Sequence, residues 1–490
     1  MAARSRAAKP NILVILTDQQ NASMLSCAGN RWLKTPHMDS LAGSGVRFER
    51  AYVTNPVCSP SRVGLMTGRM PSAMGMECNE DGFKPVPGEV IESAMGRTLR
   101  SAGYQTVYGG KVHLPGPKPV KDTLAAYGFE HLSSDERQEL ANSCASFLKE
   151  KHERPFLLVA SLINPHDICY MAIQAFAKAN AGNAPPELAG TAGSKAQDPR
   201  RLPLRYLTDA LRTPEGVSEE EFFRSYCPPL PANLNVPKDE LSAAIADKRE
   251  FQKYVRQSWT DRDWRLHRWA YARLTEQVDR EIGIILDGLS QGGHENDTLV
   301  ILTSDHGDQD GSHRLEHKEV LYEEAIRIPF IVSWKGVTRA GAVDRAHLVS
   351  NGLDFIPTLC DFAGARKPAS LRGRSVRALV EGGNAPGWRT SLVVENHFQR
   401  LVHDGRWKYY AGRKSKHAAG SCGICPARIK DSWDGGPVRE MLVDLHSDPG
   451  EMTNLATQRQ HASQLERARR TLVEWSRAHD VALDKEYVAG

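Results

Sequence analysis

Three continuous apolar runs, each closed by acidic or imidazole side chains, most constrain what this chain can fold into. They are Asn11–Thr17 (NILVILT), Phe156–Ile163 (FLLVASLI) and Asp297–Ser304 (DTLVILTS). Runs of this length without polar alternation suit strands buried on both faces of a parallel sheet. They end in Asp18-Gln19-Gln20, in Asn164-Pro165-His166-Asp167 and in Asp305-His306-Gly307-Asp308. In α/β sheets the carboxyl edge is where ligands bind. The expected fold is therefore α/β, a large mixed but mostly parallel sheet sandwiched by helices, with its site at that edge.

The 490 residues are too many for one compact core. A larger unit over 1–370 and a smaller α+β unit over 371–490 are expected. Amphipathic periodicity predicts a helix over Trp269–Leu289. Short strands are read at Ser391–Glu395, Arg406–Tyr410 and Met441–Leu445, and a last helix near Gln458–His479. Residues 171–239, with Ala, Gly and Pro clusters and little period, read as an irregular insertion that serves as a lid or substrate wall. The basic run Asp198–Arg205 reads as a solvated loop.

Charge and cysteine content exclude several classes. Lys and Arg total 63 against 59 Asp and Glu, so no basic surplus points to nucleic acid or to an anionic membrane. No apolar run approaches the roughly 18 residues of a membrane span. The 9 cysteines are an odd, scattered set and no disulfide scaffold. Cys422 and Cys425, as C-x-x-C without a second pair, read as a loop that holds two thiols. Residues Met1–Lys9 lack an apolar core, so the chain as written carries no secretory signal. Localisation is left open: cytoplasmic is the expectation for the chain as written, secreted or periplasmic if a leader has been removed. Composition does not address oligomeric state.

The segment Cys58-Ser59-Pro60-Ser61-Arg62 carries the chemistry. Small polar residues and a proline predict a helix start. Cys58 would then lie at the positive end of the helix dipole, a natural anion site that lowers a thiol pKa. Arg62 would lie one turn on.

This segment resembles the signal of the type I sulfatase family of the alkaline phosphatase superfamily, in which the cysteine of C-x-P-S-R is oxidised to formylglycine. Further matches follow in family order: Asp18-Gln19, Gly110-Lys111-Val112-His113, Pro165-His166, Asp305-His306, Lys318 four residues before Tyr322-Glu323, and Leu442–Ala456 (LVDLHSDPGEMTNLA). The resemblance implies an alkaline phosphatase-like fold and hydrolysis of a sulfate monoester, with a carbohydrate as the expected carrier. It implies a formylglycine hydrate made from Cys58 by a formylglycine-generating enzyme. It also implies one divalent metal, calcium with manganese or magnesium as alternatives, held by Asp18, Asp305, His306, the modified Cys58 and Gln19, unless the Gln19 amide only hydrogen-bonds the substrate. Arg62, Lys111 and Lys318 would balance charge at the sulfate, and His113 would orient or deprotonate the hydrate. His166 or Lys318 would protonate the leaving oxygen.

Asp18-Gln19 stands where the family usually has two aspartates, and His306 where it often has asparagine. That variation is similar to the one in choline sulfatases and phosphonate monoester hydrolases, so a phosphonate monoester or phosphodiester is the alternative substrate. Lys111-Val112-His113 favours the sulfatase side. His313 and His317 read as loop residues or a substrate rim.

Overall fold

The computed structural model describes residues 9–79, 85–180, 202–245, 248–413 and 436–481. Cys422, Cys425 and the start of the basic run at Asp198 lie outside the described residues. Strands are numbered along the chain: β1 Asn11–Asp18, β2 Gly45–Phe48, β3 Ala51–Tyr52, β4 Gln105–Gly110, β5 Glu130–Ser133, β6 Phe156–Pro165 and β7 Thr298–Ser304. They continue as β8 Phe330–Ser333, β9 Ala342–Asp344, β10 Val349–Ser350, β11 Leu392–Glu395, β12 Gln399–His403, β13 Trp407–Gly412 and β14 Glu440–Asp444.

The main sheet has eight strands in the order β5-β4-β6-β1-β7-β8-β2-β9. β5, β4, β6, β1 and β7 run parallel, and β8 pairs antiparallel with both β7 and β2. The three apolar runs are therefore the adjacent central strands β6, β1 and β7. Every residue of β1 is buried, and its side chains alternate between two cores. Ile12, Val14 and Leu16 pack with Tyr108, Leu157, Phe355 and Ile356 on one face. Leu13 and Ile15 pack with Leu140, Leu158, Ile282 and Leu302 on the other. Helices Cys58–Thr67, Met95–Ser101 and Asn351–Ala363 cover the first face, and helices Pro36–Ser44, Gln138–Lys149 and Asp261–Gln291 the second. A strand buried on both faces needs apolar side chains at every position, and this explains why the runs do not alternate.

The later strands form an antiparallel sheet, β11-β12-β13-β14. One face sets Leu401, Tyr410, Met441 and Val443 against Tyr52, Ile326 and Ile328 of the main body. The other sets Val402, Tyr409 and Leu442 against Leu465, Ala468 and Leu472 of the helix Ala462–Ala478. Strand β12 was not anticipated. Its polar Gln399, Arg400 and His403 give no apolar run, yet all three are buried between neighbouring strands. The helix expected over Trp269–Leu289 starts earlier, where Thr260 and Asp263 form a capping box. The stretch read as irregular from residue 171 carries helices at Cys169–Ala179 and Leu202–Ala210, docked through Ala172, Ile173, Leu207 and Ala210. The first of these begins before residue 171 and the second is nine residues long, so neither gives the stretch a sustained period. Among the described residues no helix is long and apolar enough to cross a membrane.

A buried charge cluster ties the small sheet to the segment after the Cys58 helix. Glu77 pairs with Arg400 at 2.5 Å and Arg413 at 3.3 Å, with His397 at 3.5 Å. Burial alone would raise the Glu77 pKa, but Arg400 and His397 outweigh it and hold the carboxyl down at about 2. A carboxyl depressed in the folded state contributes stability above its unfolded pKa of about 4.3, and this stability is lost as pH falls toward 2. Glu77→Gln should therefore cost about 3 kcal/mol in urea unfolding at pH 7, and the gap between variant and wild type should close between about pH 5 and 2.

Candidate active site

Four neighbouring strands each deliver one functional side chain at the carboxyl edge. In the order β4-β6-β1-β7 these are Lys111, His166, Asp18 and Asp305, each at or just beyond its strand end. Local backbone demands make the exits work. Gly110 adopts φ +91°, and a Cβ there would come within 2.1 Å of the Ser161 carbonyl oxygen. Gly307, after the β7 exit, is packed so closely that a Cβ would fall 2.0 Å from the Glu324 carbonyl oxygen.

The helix expected at the C-x-P-S-R segment begins at Cys58 and ends at Thr67, and all ten of its residues are buried. It faces the strand ends, so the Cys58 sulfur meets the edge residues. Sγ lies 3.1 Å from His306 Nε2, 3.1 Å from Lys318 Nζ, 3.7 Å from Lys111 Nζ and 4.0 Å from Asp18 Oδ1. His113 and His166 also reach the thiol with their side chains. In the unmodified chain this sulfur marks where the oxygens of a modified Cys58 would lie. Cys58, Asp18, Asp305, His306 and Lys318 are buried, whereas His113 is exposed and His166 keeps 23% of its side-chain surface. The two histidines therefore mark the mouth of the site.

Ligand atoms of Asp18, Cys58, Asp305 and His306 all lie within 4.8 Å of one another. Their orientation suits a cation. His306 Nδ1–H donates to the Gly307 carbonyl oxygen at 2.9 Å, which leaves the Nε2 lone pair directed at the cluster. The Oδ2 atoms of Asp18 and Asp305 are taken by Arg62, each at 2.8 Å, while Asp305 Oδ1 accepts from the Gln19 N–H at 3.1 Å and keeps a second lone pair, and Asp18 Oδ1 faces the Cys58 sulfur at 4.0 Å. Two carboxylate oxygens and an imidazole nitrogen form an oxygen-rich donor set that fits a hard or borderline divalent ion.

Arg62 is fully buried, and its remaining Nη1 donates to the Lys111 carbonyl oxygen and to Ser161 Oγ, both at 2.8 Å. Four of its five N–H donors are thus spent on the frame of the site. Lys111 Nζ pairs with Asp18 Oδ2 at 2.6 Å. Burial and the Cys58 sulfur push the Asp18 carboxyl up, but Lys111, His166 and Arg62 together hold it well below the usual range. Asp305 goes the other way, up to about 6, because burial and the Asp18 charge outweigh His306 and Arg62. Burial opposes a charged Cys58, yet Lys111, Lys318 and His306 pull its thiol well below the ordinary value. Burial, with Lys111 and Lys318, depresses His166 to about 3.

Gln19 lies in the left-handed region at φ +68°. Its Oε1 accepts from Lys318 Nζ at 2.8 Å and from the Cys169 thiol at 3.2 Å, and its Nε2 donates to Asp308 Oδ2 at 2.6 Å. The sequence singles out neither Asp308, Cys169 nor Ser161, although Asp308 closes the very run that marks Asp305. His313 and His317 form no rim. Both are buried, His313 stacked on Tyr322 and His317 beside Cys169 and Glu316.

The fold and this site set a buried thiol beside a cluster of side chains able to hold a cation, at the carboxyl edge of a parallel α/β sheet. The Sulfatase family model matches residues 10–365, and a model for the N-sulphoglucosamine sulphohydrolase C-terminal region matches 311–478. The chain therefore belongs to the sulfatase family and is a sulfuric ester hydrolase. A Delta 4,5-hexuronate-2-O-sulfatase of Bacteroides thetaiotaomicron is 26% identical over 91% of this chain and 85% of its own. A solved 2-O GAG sulfatase superposes with a TM-score of 0.73 at 24% identity, covering 96% of this chain and 93% of its own. The phosphonate monoester hydrolase of Agrobacterium radiobacter superposes at 0.69 with 21% identity, covering 97% of each chain. The two superpositions show the shared alkaline phosphatase-like fold.

Removal of the Arg62 charge would leave Asp18 and Asp305 facing each other in a buried site. Arg62→Met should lower the unfolding free energy by about 3–5 kcal/mol, read by urea titration with a chelator present.

Proposed function

We propose that this chain hydrolyses a sulfate monoester carried on a carbohydrate, with formylglycine made from Cys58 as nucleophile. The observation that carries this reading is the position of the C-x-P-S-R sulfur, 3.1 Å from both His306 and Lys318 and within 4.8 Å of ligand atoms of Asp18 and Asp305. The carbohydrate carrier is supported by the hexuronate and GAG sulfates in the names of the related proteins. Cys58 depends on a formylglycine-generating enzyme for its conversion. In this reading residues 1–370 form the catalytic unit, 171–239 one wall of the substrate cleft, and 371–490 the smaller unit docked on it.

Formylglycine supplies a geminal diol, one hydroxyl of which displaces the alcohol from sulfur while the other later releases sulfate and returns the aldehyde. A divalent metal, calcium or else manganese or magnesium, would supply charge to the sulfuryl oxygens and to the attacking hydroxyl. Asp18, Asp305 and His306 would hold it, with the modified Cys58. Arg62 keeps both carboxylates oriented. Lys111 and Lys318 flank the Cys58 position and bring two ammonium charges to the sulfate. His113, at the mouth, orients the diol or takes its proton. The leaving oxygen takes its proton from His166 or Lys318, which approach the nucleophile from separate elements.

Two measurements test the reading. Asp305→Asn should weaken retention of a divalent ion by at least about 10-fold, measured by elemental analysis after dialysis. Unaltered metal content would remove Asp305 from the ligand set. An aryl sulfate and the matched aryl phosphonate should be compared on protein whose Cys58 conversion is verified by peptide mass, with Cys58→Ala as blank. Preference for sulfate is expected. Preference for phosphonate would keep the nucleophile and metal residues but overturn the ester class.

A further inference from the structure

We infer that Asp308 is a positioning residue for Lys318, acting through the Gln19 amide and the main chain of His317. The inference rests on the sulfate-ester reading only in giving Lys318 a place at the reacting atoms. Asp308 is fully buried, and its carboxylate accepts three hydrogen bonds: Oδ1 from the Asp310 N–H at 2.7 Å, and Oδ2 from Gln19 Nε2 at 2.6 Å and the His317 N–H at 3.1 Å. All three partners are donors, so only a group with acceptors on both oxygens satisfies them. Two of the three lead to Lys318.

The first path runs through the side chain of Gln19. An amide has one donor end and one acceptor end, and the orientation is decided by the hydrogen-bond network around it. With Nε2 bound to the Asp308 carboxylate, Oε1 must face Lys318 Nζ, 2.8 Å away, and the Cys169 thiol. An acceptor thus meets the same ammonium that contacts the Cys58 sulfur. If Asp308 were a donor, the amide would turn over and set its NH₂ against the Lys318 ammonium.

The second path is the backbone. Lys318 sits between His317 at φ +78° and Glu319 at φ +77°, and Asp310, His313 and Arg314 in the same loop also have positive φ. Side chains other than glycine pay for that region, and a loop of this shape persists only where its surroundings over-determine it. The bond from the His317 N–H to Asp308 is one such constraint, and the bond from Lys248 Nζ to the Lys318 carbonyl oxygen at 3.2 Å is another. The result is an Nζ held 3.1 Å from the Cys58 sulfur. Displacing a group of this kind by about 1 Å costs on the order of 10²-fold in rate.

The test is a double-mutant cycle on converted, metal-loaded enzyme, with a series of aryl sulfates of graded leaving-group pKa. Asp308→Asn should lower kcat/KM by about 10- to 100-fold. It should shift the dependence on leaving-group pKa in the same direction as Lys318→Ala, and should cause little further loss when added to Lys318→Ala. Metal content should stay at the wild-type level. A loss that is equal for all leaving groups, or that adds fully to Lys318→Ala, would overturn the inference, as would loss of metal. If Asp308→Asn fails to fold, Gln19→Met cuts the same side-chain path and must show the same coupling to Lys318→Ala. Wild-type enzyme that turns over no sulfate would defeat the functional reading, whereas active wild type with an unaffected Asp308→Asn defeats this inference alone.

Discussion

The buried fork of Arg62 between Asp18 and Asp305 is the interaction on which the rest of the site depends. Two carboxylates, an imidazole and a low-pKa sulfur share a water-poor volume, and burial alone would protonate or separate them. Arg62 supplies a fixed positive charge that cannot be titrated away, and its planar geometry bridges β1 and β7 at 2.8 Å each. Its other donors reach the Lys111 carbonyl oxygen and Ser161, so one side chain joins β1, β4, β6 and β7 to the Cys58 helix. A buried pair of this kind is weak evidence for net stability. Its effect here is orientation: with Oδ2 of each carboxylate held by Arg62, and Asp305 Oδ1 also held by the Gln19 N–H, the ligand atoms stay within 4.8 Å of one another.

Around that frame the positive charges are arranged by reach. Arg62 bridges the two carboxylates, Lys111 lies beside Asp18, and Lys318 contacts the sulfur. His113 and His166 are the most exposed of these groups, so on the proposed reading a negatively charged ester would enter past them. Preorganised charges in a dry site cost no reorganisation at the moment of reaction.

Much of the catalytic edge was legible in the residues themselves. A strand buried on both faces has no polar side, so its first polar residues fall at its end and announce the site: Asp18, His166 and Asp305 were found in this way. The Cys58 helix start was legible because proline and small polar residues favour a first helical turn. β12 was missed because its polar residues are matched by neighbours far along the chain, among them Glu77 for Arg400. His313 and His317 read as loop residues or a substrate rim; they do lie in the loop after β7, but buried. Their burial depends on Tyr322, Cys169 and Glu316, none of which the local pattern ties to them.

The sequence by itself determined the parallel α/β class and the edge at which the site would lie, and through its resemblance to the sulfatase family it named the candidate residues. These follow from local patterning: unbroken apolar runs, their polar ends, and a short ordered motif. Only the tertiary structure decided how those residues divide the work. It set Arg62 to hold carboxylates, turned the Gln19 amide oxygen to Lys318 and brought Asp308 into the network. Each of these outcomes is a hydrogen-bond choice between partners as many as 299 positions apart. An arginine, an amide or a carboxylate has the same donors and acceptors wherever it stands, and the packed interior alone selects which of them are met.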